Sequence, residues 1–238
     1  MSRRALVWGV LLVAVLAGGY ALAWHSPWLR AEKVTITIRQ DAAPALAHQS
    51  RTWRDSSLRA RVEASLPNLL NRPLIQVDGP RLARNLSQVR GVRAADVRRG
   101  WPNTVAVIVI PRTPVAVYRP EGTREWQLVD SQAVVVSTVQ RPPVGWVVLA
   151  VAPNTPGGRA AMDVWSQLPP WLRDRVVHMG SRKPGSASTV EFRLRKGQVV
   201  VWGAVGQSAR KAAVLRALLR FPAKVYDVSA PDLPTTRG

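Results

Sequence analysis

Residues 97–117, VRRGWPNTVAVIVIPRTPVAV, constrain the fold of this chain more than any other segment. Thr104 to Ile110 is almost wholly β-branched, the composition of a strand buried on at least one face. Before it, Gly100-Trp101-Pro102-Asn103 forms a turn, because Pro102 presets φ at about −65° and Asn103 tolerates left-handed backbone. The segment therefore reads as a basic strand, a turn, a second strand, and an exit bracketed by Pro111 and Pro114 into a third.

The residues upstream supply partners for that hairpin. Lys33 to Arg39 (KVTITIR) alternates, with Val34, Ile36 and Ile38 on one face of a half-buried strand. Residues 40–53 are polar, Ala-rich and without periodicity, which predicts a loop. Asp55 is placed to cap a helix running to about Leu66, with Leu58, Val62 and Leu66 as its apolar stripe and Pro67-Asn68 as its stop. Pro73 to Val77 reads as extended. Asp78 then caps a second helix with Pro80 in its first turn and Leu82, Leu86 and Val89 inward. Gly91 breaks the chain before a strand from Val92 to Arg98. The resulting order, β-α-α-β-β, is that of an α+β unit over residues 31–112.

After Pro114 the pattern becomes short strands between turn residues: Val115–Tyr118, Trp126–Val129, Val134–Thr138 and Trp146–Val151. Gly158 to Leu168 predicts a helix ended by Pro169-Pro170, and Trp171 to His178 fits either a short helix or a strand. Thr189–Leu194 and Gln198–Trp202 flank a Lys196-Gly197 hairpin turn. Gln207 to Leu219 predicts an amphipathic helix with Val214, Leu215 and Leu218 inward and Arg210, Arg216 and Arg220 outward; Pro222 prevents its continuation. Val225 to Val228 is expected to be the last strand. Residues 113–230 thus read as a mostly antiparallel β domain with a C-terminal helix and strand, and residues 231–238 as a loose tail.

The N-terminus carries an uncharged run of 20 residues from Ala5 to Trp24, preceded by Arg3 and Arg4. At 1.5 Å per residue it reaches roughly 30 Å, the thickness of the hydrocarbon core of a bilayer. Trp8 stands near one end and Trp24 and Trp28 near the other, where interfacial aromatics belong. The positive-inside rule keeps Arg3, Arg4 and residues 1–4 in the cytoplasm, with 5–24 as a membrane helix and the remainder extracytoplasmic. Ala21-Leu22-Ala23 also fits a signal-peptide cleavage pattern, but the apolar run exceeds a usual h-region of about 7–15 residues.

No enzymatic constellation stands out. His25, His48 and His178 occur in unrelated contexts, and metalloprotease, nucleophile-elbow and nucleotide-binding signatures are missing. Ser208-Ala209-Arg210-Lys211 matches S-x-x-K, which would place Ser208 and Lys211 one helical turn apart in a cell-wall enzyme. Its companion motifs S-D-N and K-T-G are absent, so Ser208 is read as a first-turn residue and Lys211 as a surface cation. Asp130 suits a turn better than a general base, and Asp227 reads as a strand residue. No cofactor and no metal is expected.

The 34 Lys and Arg against 14 Asp and Glu give a net charge of +20. That favours contact with anionic lipid or wall polymer; the extracytoplasmic placement and the lack of a recognition motif argue against nucleic acid. Cysteine is absent, which excludes a disulfide framework and thiolate chemistry.

In order along the chain stand VTITI, Leu74-Ile75-Gln76-Val77-Asp78, Val89-Arg90-Gly91-Val92, Gly100-Trp101-Pro102-Asn103-Thr104, Arg112-Thr113-Pro114-Val115-Ala116, Leu128-Val129-Asp130, Val201-Trp202-Gly203 and Val225-Tyr226-Asp227-Val228. This series resembles the FtsQ/DivIB family of bacterial division proteins over most of the chain. The resemblance implies a cytoplasmic tail, one membrane helix, a POTRA domain and a β domain at the division septum. It further implies a non-enzymatic scaffold that binds FtsB/FtsL-like single-span partners and helps control septal wall synthesis. The chain departs from the family at Pro111, where a Glu is usual, at Ala133, where a Gly is expected, in the long loop from Gln40 to Arg54, and at Ser229-Ala230-Pro231.

A terminal strand offers an edge that another chain can extend. The expected docking residues are Lys224, Val225, Tyr226, Asp227, Val228 and Ser229, with Lys211 and Arg216 as electrostatic supports. An edge of the POTRA-like unit is a second candidate surface. A POTRA module of an outer-membrane assembly or secretion factor is a further alternative, although the chain lacks barrel-length alternation.

Overall fold

The computed structural model describes residues 8, 11–15, 30–39, 57–183, 185–187 and 189–238. These fall into two compact units that divide between Pro111 and Arg112. Residues 11–15 are helical and Trp8 is exposed, but among the described residues no helix is long and apolar enough to cross a membrane. Most of the predicted membrane segment, with Arg3, Arg4, Trp24 and Trp28, lies outside the described residues. So do His25, His48, the predicted loop at 40–53 and the Asp55 cap.

The first unit is a three-stranded sheet of order β1-β3-β2, built from β1 (Lys33–Ile38), β2 (Val92–Gly100) and β3 (Thr104–Pro111). β1 runs parallel to β3 from Lys33↔Thr104 to Ile38↔Val109, and β2 is antiparallel to β3. Two helices cover one face: α1 (Leu58–Ser65) and α2 (Gly79–Ser87). Leu58, Val62, Leu82 and Leu86 pack there on Val97, Val105, Val107 and Val109. Leu66 and Val89 are partly buried at its border. The helix α2 starts where the sequence places it, since an Asp78 carboxylate oxygen accepts from the Arg81 N–H at 3.0 Å.

Two local expectations are corrected. Pro73 to Val77 is not extended; Leu74–Gln76 forms a single 3-10 turn that buries Leu74. At the hairpin tip the Trp101–Pro102 peptide is cis, and Asn103 does not adopt the left-handed region. The backbone of Asn103 is held instead by β1, because its carbonyl accepts from the N–H groups of Glu32 and Lys33 at 2.8 and 3.2 Å.

The second unit is a mixed sheet that among the described residues has nine strands, in the order β12-β11-β10-β9-β8-β7-β4-β5-β6. They are β4 (Pro114–Tyr118), β5 (Trp126–Asp130), β6 (Val135–Val139), β7 (Val147–Leu149), β8 (Val176–Ser181), β9 (Val190–Leu194), β10 (Val199–Gly203), β11 (Val225–Asp227) and β12 (Thr235–Arg237). The pairs β4–β7, β7–β8 and β10–β11 are parallel, and the other neighbouring pairs are antiparallel, so the sheet is mixed and mostly antiparallel as expected. Each parallel step spans an intervening chain segment too long for a hairpin, and such crossovers leave strands parallel.

The helices α3 (Pro156–Gln167), α4 (Pro170–Arg173) and α5 (Ser208–Leu218) accompany this sheet. α3 packs on β8 and β9 and also touches α5. It begins two residues before the predicted Gly158, because the Thr155 hydroxyl caps it by accepting from the Gly158 N–H at 3.0 Å. The ambiguous stretch from Trp171 to His178 contains both alternatives in sequence, the end of α4 and the start of β8.

The contact between α2 and β2 is backbone-close at Gly79, where a Cβ would overlap the Val97 carbonyl oxygen. Gly79→Ala is expected to destabilise the first unit by about 1–3 kcal/mol. Urea unfolding monitored by circular dichroism will measure it, with Gly185→Ala, at a site open around its Cβ, as the neutral reference.

Candidate functional site

The C-terminal corner of the large sheet brings together Lys211 and the predicted docking segment from Lys224 to Ser229. The chain does not end its strands at Val228. Thr235–Arg237 forms β12 and pairs antiparallel with β11 through Val225↔Arg237, Tyr226↔Thr236 and Asp227↔Thr235. The other side of β11 pairs in parallel with β10 through Val199↔Val225 and Val201↔Asp227. Val225 to Asp227 is therefore an interior strand, and the tail expected to be loose supplies the edge. The sequence signal for this strand, the β-branched pair Thr235-Thr236, is too short to separate from a tail.

Side chains along β11 divide by the two-residue period of a strand. Tyr226 and Val228 are fully buried in the main core. The Tyr226 hydroxyl donates to the Phe221 carbonyl at 2.7 Å and accepts from the Ala223 N–H at 3.1 Å, which fixes the turn after α5. Their side chains are not available to a partner. Val225 and Asp227 are half-buried on the opposite face, and Lys224 and Ser229 are exposed. One Asp227 carboxylate oxygen accepts from the N–H and the hydroxyl of Ser229 at 3.0 and 2.6 Å, closing the turn toward β12.

Lys211 is not a surface cation. It is 4% exposed, and its Nζ donates to the carbonyls of Trp202 and Ala204 at 2.9 and 2.8 Å, above the Trp202 ring at 5.8 Å. A helical spacing cannot reveal this, because the ammonium is drawn inward by carbonyls at the end of β10 that only the fold brings under α5. Burial pushes the Lys211 ammonium below the ordinary lysine value. Ser208, also buried, donates to Gln167 Oε1 at 2.8 Å. The hydrogen bonds of Ser208 and Lys211 thus run to separate partners and do not join the two as nucleophile and base. Arg216 remains exposed and stacks over Trp171 at 5.8 Å.

Arg112 and Asp130 belong to two separate motifs in the sequence and meet in the fold. Arg112 Nη1 donates to an Asp130 carboxylate oxygen at 2.6 Å, with the two side chains 18% and 6% exposed. The other Asp130 oxygen accepts from the N–H groups of Gln132 and Val134 at 2.9 and 2.8 Å, which gives Asp130 the turn role expected of it. Inside that turn Ala133, where the resemblance expects a glycine, takes a left-handed φ of 60°. Among the described residues no group of three or more His, Asp or Glu side chains is placed to hold a metal ion, and His178 is exposed on β8.

No family model matches the chain. It is 32% identical over 245 residues to the cell division protein FtsQ of Streptomyces bingchenggensis, covering 98% of this chain and 85% of that protein. It is 31% identical over 256 residues to FtsQ of Streptomyces collinus, covering 99% and 88%. To FtsQ of Mycolicibacterium smegmatis it is 37% identical over 174 residues, 69% of this chain and 49% of that protein. The match thus spans about half the length of the mycobacterial relative.

Replacing Lys211 by Ala strands two carbonyl acceptors and is expected to cost about 2–3 kcal/mol of second-unit stability. The depressed Lys211 value also sets a sign. Between it and the ordinary value of about 10.4, the unfolded chain binds more protons than the folded one, so stability rises with pH in that window. Against Lys211→Met, the parent protein should gain relative stability as pH climbs through the window, read from denaturant midpoints. Arg112→Gln leaves the Asp130 carboxylate without its cation and should cost about 2–4 kcal/mol in the same assay.

Proposed function

Because the chain belongs to the FtsQ family of cell division proteins, we propose that it is a single-span division scaffold that holds partner chains by strand addition at β12. Residues 5–24 are its membrane anchor, residues 1–4 its cytoplasmic tail, and the first unit its POTRA domain. Its place is the division septum, and its partners are FtsB/FtsL-like single-span proteins through which septal wall synthesis is controlled.

The position of β12 carries this proposal. It is the terminal strand of the large sheet, all three of its residues are exposed, and among the described residues no further strand pairs with its outer side. An unpaired row of N–H and C=O groups is a template for an added strand. The corner is braced from within by Lys211 and Tyr226, so the edge is presented on a rigid element. Exposed Arg237 is its last residue, exposed Lys224 donates its N–H to the Arg237 carbonyl, and Arg210 pairs with Asp232 beside it. This favours a partner segment that carries acidic residues next to its strand. Val225 to Asp227 supports the edge from one strand further in.

The test is co-purification from detergent of the full chain with its FtsB/FtsL-like partners. Proline removes a ladder donor and cannot continue a regular edge. Thr236→Pro should lower partner recovery at least about tenfold, a loss of some 1.4 kcal/mol or more. Circular dichroism should show the fold retained. Undiminished recovery with folded Thr236→Pro would remove β12 as the docking strand.

A further inference from the structure

The first unit exposes three large apolar side chains among its described residues beyond residue 30: Leu70 at 50%, Ile75 at 36% and Trp101 at 62%. Trp101 is far in sequence from Leu70 and Ile75, yet all three sit within two residues of backbone that is bound to the segment Arg30–Lys33. The Asn71 N–H, next to Leu70, donates to the Ala31 carbonyl at 2.8 Å, and the Ala31 N–H donates to the Arg72 carbonyl at 2.8 Å. Arg30 bridges to Pro73, two residues before Ile75. Asn103, two residues after Trp101, accepts from the Glu32 and Lys33 N–H groups, and its Nδ2 donates to a Glu32 carboxylate oxygen at 2.7 Å. Exposed Arg30, Lys33, Arg72 and Arg99 surround these loops, with Glu32 engaged by Asn103.

Arg30–Lys33 is also where the chain enters the unit from the apolar run. Glu32 is four residues past Trp28 and eight past Trp24. At no more than about 3.6 Å per residue, it lies within roughly 15 Å of the first and 30 Å of the second. Tryptophan and aliphatic side chains ringed by Arg and Lys match the headgroup layer of a bilayer, apolar toward the acyl boundary and cationic toward phosphate.

We infer that this end of the first unit is a lipid-contacting foot, in which Trp101, Leu70 and Ile75 enter the headgroup region of an anionic bilayer while Arg30, Lys33, Arg72 and Arg99 hold its phosphates. The inference rests on residues 5–24 being a membrane anchor. The foot fixes the orientation of the unit on the membrane, so that β1 leaves the surface with a defined direction instead of swinging on a tether.

The absence of cysteine makes a single introduced thiol a unique labelling site. Full chain carrying Gln76→Cys, beside Ile75, or Arg93→Cys, at the far end of β2, is labelled with an environment-sensitive fluorophore. It is then reconstituted into vesicles of phosphatidylcholine with or without phosphatidylglycerol, containing lipid that bears a shallow nitroxide quencher. With the anionic lipid present, the label at 76 should be quenched at least about threefold more than the label at 93. Trp101→Ser, an exposed change that spares the fold, should erase most of that difference, and Arg99→Gln should reduce it in anionic vesicles only. Equal quenching at 76 and 93, or a difference that survives Trp101→Ser, overturns the foot. Alkaline carbonate washing separates the two layers of inference: protein that stays in the vesicles with equal quenching overturns the foot alone, and protein that washes off overturns the anchor as well.

Discussion

The first unit depends on the parallel pairing of β1 with β3. A two-stranded hairpin is marginal in water, and β2–β3 by itself would be one. Adding Lys33–Ile38 along Thr104 to Val109 of β3 makes a three-stranded sheet whose inner face carries Val105, Val107 and Val109 between flanking strands. It also closes a long loop, so the helices α1 and α2 are trapped over that face. The same pairing ties Glu32 and Lys33 to Asn103, so it sets where the entering chain meets the hairpin tip. The cluster of Leu70, Ile75 and Trp101 exists only as a result of it.

The second unit solves a different problem, which is to present a chain terminus as a firm sheet edge. A three-residue strand such as β12 has little stability of its own. It gains definition from β11, which is anchored through buried Tyr226 and Val228, and β11 from β10, whose last carbonyls are gripped by Lys211. Burying an ammonium carries a desolvation cost, offset here by two carbonyl acceptors and the Trp202 ring. At the other end of the same sheet, the Arg112–Asp130 pair clamps the entry of the chain to the β5–β6 turn.

Much of this was legible in residue order. The alternation in KVTITIR, the Asp78 cap, the β-branched run from Thr104 and the Lys196-Gly197 hairpin each express a local rule, and each element formed within a few residues of its predicted place. Three of the features that escaped show why the rest was hidden. Pro73–Val77 looked extended because Pro restricts its neighbours, whereas burial of Leu74 curled it into a 3-10 turn. Lys211 looked exposed because one helix gives no view of the strand end above it. Thr235–Arg237 looked loose because three polar residues carry no period, and a strand that short forms only where a partner edge waits.

The sequence by itself determined the elements, the family and the charge, since caps, turns and side-chain periods act over a few residues. Only the tertiary structure decided which strand is an edge, which cation is buried, and which exposed apolar groups stand together. Those are properties of neighbours distant in the chain. Arg112 finds Asp130 across 18 residues and Asn103 finds Glu32 across 71, and no local pattern encodes either meeting.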